Sequence, residues 1–317
     1  MTATVHVIGA GGRSGAALCR ALLASGRNVV PVIRDRDRYQ AGLTRAGLSP
    51  AGLISDGLAS GGQAPENGVL AEPRLADLAG PVSGLRGALE DASVVVCTTH
   101  ARNIPAVLVA APARATLIAL GSTRKFTRWP DAHGNGVLQG EHALLTSGRN
   151  GVILHPTMIY GAEGENNVRR LAALLRRLPV VPLPGGGRAL VQPIHQSDVT
   201  ASLLAAIGKP WDGPHSLVIA GAAPVAYRDF VHLVARAAGL AIRPVMSVPV
   251  APLIAAATLT RVIPGLPDIG PAEIRRLLED KAFSITPMVD TLGVMPISLE
   301  AGLMRLFRGN ASEQKGR

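Results

Sequence analysis

The stretch Thr4-Val5-His6-Val7-Ile8-Gly9-Ala10-Gly11-Gly12-Arg13-Ser14-Gly15 decides the fold. A short β-branched run ends at a cluster of glycines. Residues 14–25 then place Leu18, Cys19, Leu22 and Leu23 at helical spacing and stop at Gly26. A second apolar run, Asn28–Ile33, ends at Arg34. Thr4–Ile8, Ser14–Ser25 and Asn28–Ile33 therefore predict the strand, helix and strand of one βαβ unit. In such a unit the first glycine makes the tight turn, the second lets backbone approach a pyrophosphate, and the third lets helix pack on strand. Gly9, Gly12 and Gly15 occupy those places, and Gly11 adds a GxG spacing. The helix N-terminus behind them offers free N–H groups to phosphate. Gly9, Ala10, Gly11, Gly12, Arg13, Ser14 and Gly15 are thus the candidate dinucleotide cradle.

The end of the second strand reads the ribose. An acid there binds a 2′-hydroxyl, whereas arginine accommodates a 2′-phosphate. Arg34 ends this strand and Arg13 projects from the cradle, and a guanidinium grips phosphate through forked hydrogen bonds. NADP(H) is the favoured cofactor, and NAD(H) the alternative should Asp35 turn inward. The plainer reading of Arg34-Asp35-Arg36-Asp37-Arg38 is the solvated start of a helix.

Outward from this unit the alternation continues. Residues 47–74, rich in Gly, Pro, Ser and Ala, read as a loose excursion before a third strand near Ala71–Ala76. Helix Val82–Glu90, strand Ser93–Cys97, helix Ile104–Ala111, strand Thr116–Leu120, helix Leu138–Thr146 and strand Gly151–Leu154 follow. Near-continuous apolar strands alternating with helices predict an α/β fold, a Rossmann-type doubly wound parallel sheet covered on both faces. After Gly161 the rhythm changes. Val168–Arg177 is a basic amphipathic helix, LPVVPLPGGGR a turn region, and His195–Ile207 a helix capped by Ser197 or Asp198. Further helices are expected at Tyr227–Ala238, Ala272–Asp280 and Leu299–Phe307, with a frayed tail after Gly309. Residues 1–161 are read as the NAD(P)-binding Rossmann domain, taking back a strand or helix from the second half. Residues 162–317 are read as a smaller, substrate-side lobe.

Composition narrows the function. The chain has 317 residues, 47% hydrophobic and 17% charged, and its mean hydropathy is +0.27, which excludes wholesale disorder. Its net charge of +10 and pI near 10.7 predict attraction to anions. Aromatic residues make up 3%, too few for the stacking platforms of single-stranded nucleic-acid binding, so no nucleic-acid partner is expected. Cys19 and Cys97 form no CxxC pair and no HExxH occurs, so no metal is expected and both thiols read as buried small hydrophobes. The N-terminus lacks a basic region followed by a long apolar core. Val245–Thr260 is interrupted by Pro249 and Pro252 and is shorter than a spanning helix of ~20 residues, so a cytoplasmic protein is expected. Arg169, Arg170, Arg176 and Arg177 read first as a solvated face and second as a site for an anionic substrate or membrane head group. Ala251–Leu259 beside Arg261 reads first as lobe packing and second as a peripheral membrane contact.

Taken in order, these motifs resemble the extended and atypical short-chain dehydrogenase/reductase superfamily, particularly its NAD(P)-dependent epimerase/dehydratase-like members. Proteins like the dehydrogenase-like accessory subunit of respiratory complex I are among them. VHVIGAGGRSG is similar to the family's cofactor loop, and VIRD to its NADP-type strand end. LADL, with Asp77 and Leu78, matches the position that contacts adenine, and Thr98 and Thr99 fall where the fourth strand meets the cofactor. LHPTMIYG, with Pro156, resembles the sixth-strand motif near the nicotinamide, with His155 where arginine is common. VQPIHQSDV, with His195 and Asp198, resembles the family's PIHVDDVA segment, and EDKAF with LGVMPISLEAGL its C-terminal signature. The resemblance covers nearly the whole chain. It implies an oxidoreductase acting on a small-molecule substrate, with a respiratory complex as a further partner to consider.

The catalytic motif departs from the family. Its members use tyrosine and a lysine four residues later, preceded by a serine; lysine lowers the tyrosine pKa and tyrosine exchanges the proton as hydride moves. Four residues beyond Tyr39, Tyr160 and Tyr227 stand Leu43, Gly164 and Val231. Counting back from Glu141 puts His133 at the tyrosine place and Val137 at the lysine place, while Ser122 matches the serine. Three readings follow. His133 replaces tyrosine as the acid, oriented by Asp131 and Ser122, unless it is only a loop histidine after Trp129-Pro130. Or the acceptor takes its proton from solvent, as a quinone-like or conjugated molecule does. Or the protein binds NADPH as a sensor or assembly factor without turnover. Epimerisation of a sugar nucleotide ranks below these, because the usual base is missing.

Overall fold

The computed structural model describes residues 4–45, 68–162, 167–252, 254 and 271–313. Strand and helix alternate through Val5–Ile8 (β1), Arg13–Ala24 (α1), Val29–Ile33 (β2), Arg36–Arg45 (α2), Arg74–Leu75 (β3), Val82–Leu89 (α3), Val94–Cys97 (β4), Ile104–Ala110 (α4), Thr116–Leu120 (β5), Ala132–Leu145 (α5) and Gly151–Pro156 (β6). There follow Ile159–Tyr160 (β7), Asn167–Arg177 (α6), Val181–Pro184 (β8), Leu190–Val191 (β9), Ile194–His195 (β10), Gln196–Gly208 (α7) and Pro214–Ile219 (β11). Val225–Ala226 (β12), Tyr227–Ala237 (α8), Val245–Val248 (β13), Pro271–Arg276 (α9), Thr286–Leu292 (α10) and Leu299–Glu313 (α11) complete the described chain.

β1, β2 and β6 are buried along their whole length, as strands covered on both faces must be. They belong to a seven-stranded sheet of order β11-β6-β5-β4-β1-β2-β3, in which every pairing is parallel. Neighbour order reverses between β1 and β4, and at such a switch point the ends of the strands leave a crevice. The edge of the sheet carries a readable defect. Pro31 has no N–H to give toward β3, and the pairing is broken opposite it, between the Leu70 bridge and Arg74, where Pro73 likewise has no donor.

One face of the sheet packs α1 and α7 through Leu18, Leu22, Val199 and Leu203, joined by Met288 and Leu292 of α10. The other packs α3, α4 and α5 through Leu85, Leu89, Ile104, Val107, Val137 and Leu144. A third core joins α6, α8 and α11 around Val168, Phe230, Val234 and Leu303. Three elements beyond residue 161, namely α7, β11 and α10, therefore lie with the sheet. No helix among the described residues is long and apolar enough to cross a membrane.

Several boundaries differ from the sequence expectation. α5 begins at Ala132, six residues before the expected start, because Asp131 caps it by accepting the Gly134 N–H at 2.7 Å. The expected turn region LPVVPLPGGGR contains β8, paired in parallel with β13. α7 is capped by His195, whose Nδ1 accepts the Ser197 N–H at 3.2 Å, so Ser197 and Asp198 stand inside the first turn. α10 was not expected, α9 stops at Arg276, and α11 continues past Phe307 to Glu313. Most of the excursion at 47–74 and of the apolar segment 251–259, with Arg261, lies outside the described residues.

Candidate active site

β1 runs out at Ile8 into a turn that Gly9 makes with φ +83°. A Cβ on Gly9 would stand 2.8 Å from Thr99 Cγ2, and one on Gly15 would stand 2.2 Å from the Gly9 carbonyl oxygen. Neither contact is tolerable, so these glycines set turn and helix-on-strand packing respectively. Gly12, the N-cap of α1, supplies no side-chain cap, and no acid stands in the first turn. The helix therefore presents N–H groups and a positive dipole end with no side-chain cap and no first-turn acid to neutralise them. The residues present fit a dinucleotide's pyrophosphate.

A cavity of about 390 Å³ opens here, between the carboxyl ends of β1, β2 and β4. Gly9, Gly11, Gly12, Arg34, Asp77, Leu78, Thr98 and Thr99 line it. Ala10, Ser14, Gly15 and Pro156 stand behind the walls. Ala10 is buried, the Ser14 hydroxyl donates to Gln196 Oε1 at 3.1 Å, and the Pro156 carbonyl accepts from Thr123 Oγ1 at 3.2 Å. Arg13 faces a larger cavity of about 530 Å³ between α1 and α7, which shares Gly11 and Gly12 with the first. Size alone does not make that groove the main site; the crevice at the switch point is where open α/β sheets hold ligands. Thr98 Oγ1 donates to the Ile8 carbonyl at 2.9 Å and pins β4 to β1, while Thr99 Oγ1 accepts from Asn103 Nδ2 at 3.1 Å.

The charge run after β2 resolves at this cavity. Asp35 Oδ1 accepts the Arg38 N–H at 3.0 Å, at the start of α2. Arg34, just after β2, and Arg38, in the first turn of α2, both line the cavity, as does Asp35. The sequence reading missed Arg38, taking it only as part of a solvated run of alternating charge. It also missed Asn103.

A third cavity, about 290 Å³, sits at the ends of β5 and β6 and is lined by Ser122, Thr157 and Met158, among others. Of the two expected catalytic residues, only Ser122 faces it. His133 stands in the first turn of α5, its ring edge-on to that of His100 with centroids 4.4 Å apart. Burial lowers the His133 pKa, and Arg124 and Arg102 lower it further against the opposing pull of Asp131. At neutral pH such an imidazole is uncharged and a poor proton donor. Val137, at the lysine place, is buried in the core. Tyr39 and Tyr160 are buried too, which raises both phenols, and Tyr160 donates to the Leu299 carbonyl at 3.4 Å.

Behind Ser122 lies a polar network that sequence reasoning did not assemble. The Ser122 N–H donates to His155 Nδ1 at 3.2 Å, and His155 Nε2 lies 3.2 Å from Glu141 Oε1. The same carboxylate oxygen accepts from Lys125 Nζ and, at 2.5 Å, from Ser216 Oγ. Burial works to raise the Glu141 pKa, yet contacts from His155, Lys125 and Ser216 outweigh it and hold the group near about 2. A Cβ on Gly121 would fall 2.2 Å from His155 Nδ1, so glycine is what lets the ring approach β5.

No protein-family model matches the sequence, and no curated protein sequence matches it significantly. Solved structures do match. An NADPH-dependent quinone oxidoreductase from Escherichia coli, complexed with NADPH, is similar with a TM-score of 0.68 at 17% identity, over 96% of this chain and 99% of that one. A UDP-glucuronic acid 4-epimerase from Bacillus cereus, complexed with UDP-glucuronic acid and NAD, gives a TM-score of 0.67 at 16% identity, over 98% and 99%. A nucleoside-diphosphate-sugar epimerase from Staphylococcus aureus gives 0.68 at 14% identity, over 96% and 100%. The chain shares their fold. At such identities the likeness is one of architecture, and chemistry has to be read from this chain's own side chains.

Proposed function

We propose that this chain is an atypical member of the short-chain dehydrogenase/reductase superfamily that binds NADPH in preference to NADH and exchanges hydride with a small molecule. The observation that carries the reading is the pair Arg34 and Arg38 on one wall of the cradle, with Asp35 engaged at the start of α2. Two guanidiniums there suit a 2′-phosphate, and they outnumber the one carboxylate between them, Asp35, which lines the same cavity and accepts the Arg38 N–H through Oδ1. The quinone oxidoreductase that shares this fold is itself complexed with NADPH. The dinucleotide, when bound, supplies a hydride donor. The protein's part would be to hold it: α1 and the glycine turn would take the pyrophosphate, Thr98 and Thr99 would close the floor, and Asp77 and Leu78 would border the base.

Proton delivery follows the second of the three sequence readings. Ser122 is the expected catalytic residue that faces the substrate-side cavity, where its hydroxyl and that of Thr157 are polar groups placed to orient an acceptor. His133, held by His100 and Asp131's surroundings, does not replace the missing tyrosine. An acceptor that draws its proton from solvent fits this arrangement. Incubation with NADPH and quinones, enals, ketones and sugar nucleotides tests it. Oxidation of NADPH by a conjugated acceptor is expected, whereas tight NADPH binding without oxidation of any acceptor favours the sensor or assembly reading.

A further inference from the structure

We infer that the cavity of about 290 Å³ over Ser122 takes a small planar anion, an aromatic or conjugated carboxylate, which on the proposed function is the substrate. Four cationic side chains, Arg124, Arg128, Arg276 and Lys281, line it against two acids, Glu279 and Asp280. Both acids are already engaged by the protein. Glu279 Oε1 accepts from Thr127 Oγ1 at 2.8 Å and from the Arg128 N–H at 2.5 Å, and Asp280 Oδ1 accepts the Leu190 N–H at 2.9 Å. Among the cations, Arg124 is forked onto Asp131. Lys281 gives one proton to the Arg276 carbonyl at 3.3 Å, which leaves two ammonium donors, and Arg128 stands exposed at the rim. Burial of Lys281 lowers its pKa, a cost that an incoming carboxylate would relieve.

The apolar wall is equally specific. The chain has four phenylalanines, and two of them, Phe126 and Phe283, meet at this cavity with ring centroids 5.6 Å apart and a tilt of 40°. Phe126 is 54% exposed, unlike Phe230, which fills a core. Lys125 Nζ lies over the Phe126 ring, 4.8 Å from its centroid, and the exposed remainder of that ring beside the cations offers a flat ligand apolar contact on one side and charge pairing on the other. At about 290 Å³ the cavity stands near the lower end of ligand pockets, roughly 300–1,000 Å³, a scale that suits a single ring with its carboxylate.

Calorimetry on the full chain, with and without saturating NADPH, tests this with benzoate, benzyl alcohol, cyclohexanecarboxylate and UDP as probes. Benzoate should bind ~10-fold or more tightly than benzyl alcohol, and Lys281→Gln and Arg128→Ala should each weaken it ~10-fold, the scale of one charge-assisted contact. Phe126→Leu should cost benzoate more than cyclohexanecarboxylate. Arg128 is exposed, so its variant reports even if the Lys281 variant does not fold. Benzoate binding no tighter than the alcohol, indifference to Arg128→Ala, or UDP outbinding benzoate would overturn the inference. NADPH titration in the same experiment separates the two claims: failure of NADPH with benzoate discrimination intact removes the cofactor reading alone, and the reverse removes the anion site alone.

Discussion

Replacing Glu141 by glutamine tests whether the network behind Ser122 holds the protein together. The carboxyl sits at about 2 against an ordinary 4.5, a depression on the order of 3 kcal/mol at 1.36 kcal/mol per pH unit. Its side chain is 12% exposed and that of Lys125 9%, so solvent screening takes little from this figure. An independent route agrees, since removing one partner of a buried ion pair costs ~3–5 kcal/mol. Glu141→Gln should therefore lower unfolding stability by ~3 kcal/mol near pH 7 in urea melts, with unchanged m-value. The pH dependence has a definite sign. Because the folded pKa is depressed, the contribution is present in full above the ordinary 4.5 and is lost as pH falls through about 2. Wild type and variant should thus converge on acidification. His155, which burial pushes down and Glu141 pulls up, falls further in the variant, so the gap near neutral pH is the clean one. A loss below ~1 kcal/mol, or a gap that does not close at low pH, would refute the reasoning.

Arg34→Ala and Arg38→Ala should each weaken NADPH ~10-fold in calorimetry and leave NADH unchanged, because only NADPH carries the phosphate they face. His133→Ala should change turnover by less than ~3-fold, since its ring packs on His100 outside the substrate cavity; a loss of ~10²–10⁴-fold would restore it as the general acid. Gly15→Ala should abolish dinucleotide binding and destabilise the fold by ~1–3 kcal/mol in thermal melts, as its Cβ would stand 2.2 Å from the Gly9 carbonyl.

Where sequence reasoning succeeded, a single physical rule dominated. Parallel strands buried on both faces read as apolar runs, so β1, β2, β4, β5 and β6 were found from residue type alone. It failed where two rules competed. His133, Gly134, Asn135 and Gly136 are poor helix formers, yet α5 begins with them. Gly134 and Gly136 are there because a Cβ would meet Arg124 O at 2.9 Å and His100 Cε1 at 2.9 Å. β8 was hidden by Pro182 and Pro184, which a two-stranded edge tolerates. In the site, the glycine cradle is local in sequence and was legible. The Lys125–Glu141–His155 network joins a turn, a helix and a strand, and no spacing rule announces it.

The central claim is that the pocket at the end of β2 reads a 2′-phosphate. Titration of the unmodified chain with NADPH and NADH, in the same buffer at low salt, measures this directly. NADPH binding ~10-fold or more tightly is the result the arginine pair predicts. Equal affinities, or tighter NADH, would mean that Asp35 reads the ribose and that the assignment of the cradle to NADPH is wrong.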